Sequence, residues 1–215
     1  MSELTADKQA HSSLYGSMDQ QGLTESPISS PLSQVDESSI AGDSPIVAIE
    51  HSVGHLVLRG QAEILGPALQ SSRDLNLPTE ALTSSGLGKD CLRWLSPNEW
   101  LLTLPLTSVF DAEEALRQKM GGHGAIVNVS GGQTLLELKG SKVTSVLKKS
   151  TSYDVDLVNF PVGKVVTTTF AQAQVVLRCV AEHRYELVIR RSFADYLWAW
   201  LRDASAEFGF RVDSA

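Results

Sequence analysis

The chain has 215 residues, 42% of them apolar, with two cysteines and a formal net charge of −7. That length admits one large domain or two small ones with an ample core, and no apolar run approaches the ~20 residues of a bilayer-spanning helix. The charge is uneven: residues 1–44 carry seven carboxylates against Lys8, a net of −6, so the rest stands near −1, and a near-neutral body without a basic stripe is a poor nucleic-acid binder.

Residues 1–44 are rich in Ser, Gln, Asp and Glu, with Pro27 and Pro31 and no helix or strand period. Such a segment buries too little apolar surface to offset chain entropy, so it is expected to be disordered. The alternative is a docking arm that uses Leu14, Tyr15 and Ile28. No basic-then-apolar leader opens the chain, and Cys91 and Cys179 form no CxxC pair. The expectation is a cytoplasmic protein with reduced thiols.

The folded part is expected to be a single domain, residues 45–215. Ile46-Val47-Ala48-Ile49 is a candidate strand, and residues 55–60 are a second. The organising stretch is residues 125–153. It reads as a strand, a reversal at Gly131-Gly132 with positive φ, and a second strand in which Leu136 and Leu138 alternate with Glu137 and Lys139. Gly140 closes that strand, and Ser141 is the predicted cap of a short helix.

A weaker copy of this unit lies eighty residues earlier. Gly60 matches Gly140, Leu56 matches Leu136, Leu58 matches Leu138, and Leu75-Asn76-Leu77 falls on Val155-Asp156-Leu157. Further on the offset becomes eighty-five: Leu92-Arg93-Trp94-Leu95 meets Leu177-Arg178-Cys179-Val180, and Trp100 meets Tyr185. Each copy ends in a helix opened by a Ser-x-x-Asp capping-box pattern, Ser108 to Asp111 and Ser192 to Asp195. The chain therefore reads as an α+β duplication, with copies at about 45–121 and 125–212. Gly121-Gly122-His123-Gly124 is too short for a tether and lacks the lysine of a P-loop; Gly121 is expected at a helix C-cap.

The last helix, predicted over residues 193–207, places Phe193, Leu197, Trp200 and Leu201 on one face, with Tyr196 and Trp198 flanking it. The apolar arc covers roughly 200°, against the ~100° of a typical surface helix. Such a helix is either sunk between the sheet and loops or meets a partner, with Tyr196 and Trp198 as the interface candidates.

Catalytic patterns are sparse. His51 and His55 are four apart in a strand or turn context, which does not make a helical metal pair. Ser130 lies outside a Gly-x-Ser-x-Gly elbow, neither cysteine neighbours a histidine, and Asp154 and Asp156 read as turn residues. No catalytic and no metal-ligating residue is assigned.

Residues 127–134, Leu136 to Gly140, Phe160-Pro161-Val162-Gly163 and above all Arg191-Ser192-Phe193-Ala194-Asp195-Tyr196-Leu197-Trp198 resemble the gamma subunit of heterotetrameric sarcosine oxidase. The likeness spans roughly residues 45–212, and parts of it are shared with the folate-binding domain of glycine-cleavage aminomethyltransferases. The resemblance implies two intertwined β/α subdomains. It implies alpha, beta and delta subunits as partners, and FAD, FMN, NAD and tetrahydrofolate held by those other subunits, with no cofactor in this chain. The implied reaction oxidises sarcosine to glycine with O2, giving H2O2 and formaldehyde or 5,10-methylenetetrahydrofolate. A related oxidase of another N-methyl or secondary amine would have a similar gamma chain.

Glu182-His183-Arg184-Tyr185-Glu186 also resembles the transferases' Glu-x-Gly-(Phe/Tyr)-Glu stretch, which makes Glu186 the candidate to hold a pterin. Arg184 in place of the glycine, and the lack of aspartates in residues 170–174, depart from that pattern. Glu186 is accordingly expected to be a strand residue facing solvent or a partner. The alternative function is a stand-alone folate-binding one-carbon transfer protein.

Overall fold

The computed structural model describes residues 45–213, so the expectations for residues 1–44 lie outside the described residues. The elements run β1 (Val47–His51), β2 (Val53–Gly60), α1 (Ala62–Arg73), β3 (Ser84–Leu87), β4 (Asp90–Ser96), β5 (Glu99–Pro105) and α2 (Val109–Met120). They continue β6 (Gly124–Asn128), β7 (Gln133–Lys139), α3 (Val143–Ser150), β8 (Val165–Phe170), β9 (Ala173–Ala181), β10 (Arg184–Arg190), α4 (Ala194–Ser205) and β11 (Arg211–Asp213). The second half thus repeats the order of the first, and β11 is an addition.

The two copies exchange their first strands. One sheet has the order β6-β2-β5-β4-β3 and the other β1-β7-β10-β9-β8, with β11 outside β1. Strand β1 of the first copy pairs antiparallel with β7, and β6 of the second copy pairs antiparallel with β2. Neither copy can complete its sheet alone, because an edge without its partner leaves backbone groups unpaired. The intertwining implied by the resemblance takes this physical form.

Strand alternation sorts side chains into three cores. Leu56, Leu58, Trp100, Leu102 and Ile126 pack under α1 and α2. Leu136, Leu138, Leu177, Tyr185 and Leu187 pack under α3 and α4. The opposite faces of the two sheets meet through a small third cluster, Val53, Leu101, Leu135 and Val188. The helices are therefore the outer layers and the sheets the inner ones.

Three local expectations are corrected. Residues 130–132 form a 3₁₀ turn in which neither Gly131 nor Gly132 has positive φ. No reversal is needed there, because β6 and β7 belong to different sheets. Second, Ser108 and Ser192 do not cap their helices: each lies in a 3₁₀ turn leading into the α-helix, and Ser108 Oγ donates back to the Pro105 carbonyl. Third, the residue before α3 is Lys142 rather than Ser141. Gly121 does stand at the left-handed C-cap of α2, with φ 56°.

Gly140 is needed where it stands. Its φ is +125°, and a Cβ there would lie 2.4 Å from the Pro45 carbonyl oxygen, where the chain entering β1 passes the end of β7. Gly140→Ala is expected to destabilise the chain by about 1–3 kcal/mol, whereas Gly131→Ala, with nothing within 4 Å, stays within about 0.5 kcal/mol. Urea denaturation of the two variants measures the contrast.

Candidate functional site

Between the sheets lies a sealed polar layer. Arg93 on β4, Thr103 on β5 and His55 on β2 are fully buried, and Arg178 on β9 and Glu186 on β10 are almost so. Strand parity puts them there: on each strand the alternate residues, such as Leu92, Leu102, Leu177 and Leu187, face the helices instead.

Arg93 and Arg178 are the same position of the two copies, and both donate to one oxygen, Oε2 of Glu186, Arg178 through Nη1 at 3.1 Å. The position equivalent to Glu186 in the first copy is Leu101, so one carboxylate serves two guanidiniums. Arg93 also donates to Thr103 Oγ1 at 2.8 Å. Arg178 donates to Ser84 Oγ at 2.9 Å and to the Gly86 carbonyl at 3.4 Å. The cluster thereby ties β3, β4 and β5 of one sheet to β9 and β10 of the other.

His55 lies opposite Thr103, which lies opposite Cys91. Burial, together with the Arg93 charge, lowers the His55 ring to a pKa of about 3, so it is neutral at physiological pH. Burial pushes the Cys91 thiol up, against the opposing pull of Arg93 and Arg178. An imidazole held at about 3 is too weak a base for a thiol pushed above its ordinary range, so the two do not make an activated nucleophile–base pair. A second carboxylate, Glu137, is buried beside them on β7. It accepts from His51 Nε2 at 2.8 Å and from Arg184 Nε at 2.8 Å and Nη2 at 3.0 Å. Burial alone would raise the Glu137 carboxyl, but the hydrogen bonds from His51 and Arg184 hold it at about 2.

Among the described residues there is no group of three or more His, Cys, Asp or Glu placed to hold a metal ion. No helix among them is long and apolar enough to cross a membrane.

The residues singled out from sequence scatter. Glu186 faces neither solvent nor a partner: a second sheet covers it, and its carboxylate is engaged by two arginines. A pterin would have to displace a guanidinium to reach it, so these residues do not fit the folate-holding role. Trp198 is 4% exposed and packs against Phe210, with ring centroids 5.1 Å apart. This corrects its reading as an interface residue, because the segment entering β11 covers that flank of α4. Tyr196, on the other flank, is 41% exposed, and Phe193 is exposed too. Sequence reasoning missed Arg93, Arg178, Glu137 and Arg184 as a network. The signal available was an arginine at the same place in both copies, inside an otherwise apolar run.

Two exchanged β/α copies with helices outside and sheets inside define the aminomethyltransferase class of fold. The glycine cleavage system aminomethyltransferase T from Bartonella henselae superposes with a TM-score of 0.59 at 14% identity, over 80% of this chain and 48% of that one. Within that class the match is to one family: the model of the sarcosine oxidase, gamma subunit family covers residues 60–207, and the chain belongs to this family. The gamma subunit of sarcosine oxidase from Corynebacterium sp. strain U-96 is 26% identical over 195 residues, 89% of this chain and 94% of the relative. That from an Arthrobacter species is 28% identical over 174 residues, 80% of this chain and 79% of the relative. A chain in the structure of the heterotetrameric sarcosine oxidase from Corynebacterium sp. U-96 with pyrrole 2-carboxylate superposes with a TM-score of 0.78 at 26% identity, over 86% of this chain and 96% of that one.

Replacing Glu186 leaves two buried cations uncompensated, so Glu186→Leu is expected to cost about 3–5 kcal/mol in a denaturation curve. His55 gives a pH signature. Its folded pKa is depressed, so below its ordinary value of 6.5 the unfolded state takes up a proton that the folded state refuses, and stability falls as pH drops toward 3. The Glu137 contribution is present above its ordinary 4.5 and is lost as pH falls toward 2. In His55→Leu the decline between pH 6.5 and 4.5 is therefore expected to flatten while the steeper acid limb remains, as read from melting temperature against pH.

Proposed function

We propose that this chain is the gamma subunit of a heterotetrameric sarcosine oxidase and contributes folded contact surface, with no catalytic residue of its own. The observation that carries the reading is the superposition along nearly the whole of a chain from such an enzyme, TM-score 0.78. The polar layer between the sheets supports it: Glu186, the residue a pterin would use, is already held by Arg93 and Arg178.

In this reading the alpha, beta and delta subunits are the partners, the assembly acts in the cytoplasm, and FAD, FMN, NAD and tetrahydrofolate are held by those partners. The reaction is sarcosine + O2 + H2O → glycine + formaldehyde + H2O2. With tetrahydrofolate as the one-carbon acceptor, 5,10-methylenetetrahydrofolate replaces formaldehyde and no water is consumed. The methyl carbon is oxidised by two electrons, and both pass to O2.

The test is to purify the tagged chain from its own host at low salt. The reading predicts a particle far above 23.3 kDa, three further chains, flavin absorbance and sarcosine-dependent peroxide. A colourless monomer contradicts it. Two variants separate surface from core. Tyr196→Glu is expected to reduce recovery of the assembly without moving the melting temperature of the lone chain. Trp198→Ala is expected to lower the stability of the lone chain itself by about 3–5 kcal/mol.

A further inference from the structure

The duplication leaves one position of the fold filled in one sheet and open in the other. Strand β11 lies parallel to β1, with Val47, Ala48 and Ile49 opposite Arg211, Val212 and Asp213. The counterpart of β1 is β6. Val47 pairs with Lys139 and Ala125 pairs with Arg59, and Lys139 and Arg59 are the same repeat position. Val47, Ala48 and Ile49 therefore correspond to Ala125, Ile126 and Val127. Outside β6 the described residues supply no strand, because the chain enters β6 directly from α2.

The consequence is visible in exposure. Val47 and Ile49 are 5% and 8% exposed, whereas Val127 is 49% exposed and Ala125 is exposed as well. The backbone shows the same contrast. Val129 N donates to the His55 carbonyl, so the odd residues of β6 bond to β2, and Gly124, Ile126 and Asn128 turn their groups outward. In the other sheet an outward carbonyl, that of Ile46 (the counterpart of Gly124), accepts from Arg211 N at 3.0 Å. On β6 the Ile126 carbonyl is covered by a side chain instead: Arg117 Nη2, from α2, donates to it at 2.6 Å. A charged side chain over the edge is one of the ways a free sheet edge is blunted. The side chain of Arg117 is 53% exposed and is also paired on its own helix with Glu113, Nη2 lying 2.7 Å from Oε1.

We infer that the outer edge of β6 is a strand-addition site that takes an extended segment of another subunit of the assembly, running parallel to β6 as β11 runs beside β1. This rests on the subunit reading above. The main chain of the segment bonds to Gly124, Ile126 and Asn128. One of its apolar side chains lies beside Val127, and the preceding residue, beside Ile126, carries a carboxylate that shares Arg117 with Glu113. A second copy of this chain is the poorer fit. A two-fold axis brings β6 against β6 antiparallel, whereas the strand that fills the equivalent position on β1 is parallel.

Hydrogen–deuterium exchange of residues 124–128, in the purified assembly and in the lone full-length chain, tests this. The outward amides of Gly124, Ile126 and Asn128 are expected to exchange at least tenfold more slowly in the assembly. Val127→Lys is expected to weaken assembly at least tenfold and to leave the melting temperature of the lone chain unchanged. Unchanged exchange within an intact assembly overturns the inference and leaves the subunit reading standing. Equal protection in a lone chain that sediments as a dimer makes the occupant a second copy and also overturns it. A wild-type chain that recruits no other subunit overturns both.

Discussion

The structure depends on the pairing of β1 with β7 and of β6 with β2. Each pairing carries the first strand of one copy into the sheet of the other, so backbone hydrogen bonds, rather than a side-chain interface alone, bind the copies together. The cost of separating them is the cost of opening both sheets, one between β1 and β7 and the other between β6 and β2. The far ends are joined as well: Ser84 N donates to the Gly163 carbonyl and Val165 N to that of Leu82, so β3 and β8 cannot drift apart independently. Gly140 belongs to the same constraint, because the chain entering β1 at Pro45-Ile46 passes the end of β7 too closely to leave room for a Cβ.

Given two sheets fixed back to back, the layer between them is decided by what strand parity turns inward. The apolar part is small, four buried residues with four partly buried ones against them, and Arg93, Arg178, Glu186 and Glu137 bring charge into the remainder. Removing both arginines from water is expensive, and one carboxylate offsets it only because the guanidiniums reach it with hydrogen bonds to Thr103, Ser84 and Gly86 as well. This arrangement explains why the candidate pterin-holding residue is unavailable: Glu186 is the counter-charge of the fold. The surfaces that stay open are the exposed flank of α4 and the outer edge of β6.

The sequence made the duplication legible because matching glycines, leucine alternation and helix starts recur at fixed offsets. Leu136 and Leu138 announce a half-buried strand, and Gly121 announces a helix end. Strand exchange was not legible from the residues, because a strand does not state which distant strand it joins; only the family resemblance pointed to it. The same blindness turned Gly131-Gly132 into a hairpin. It also left Glu186 facing solvent or a partner, since alternation tells which face a residue takes but not what covers that face. On α4 the helical spacing defined an apolar arc correctly. Which flank stays open was set by Phe210, a residue beyond the helix that packs on Trp198 and not on Tyr196.

The most direct test of the exchanged architecture is to cut the chain between Gly121 and Gly122, in the exposed run that joins the two copies. An engineered protease site there would release fragments 1–121 and 122–215. The exchanged strands predict that the two fragments co-elute under native conditions and unfold in one cooperative transition. Fragments that separate, each retaining its own folded signal, would show two self-sufficient halves and contradict the account.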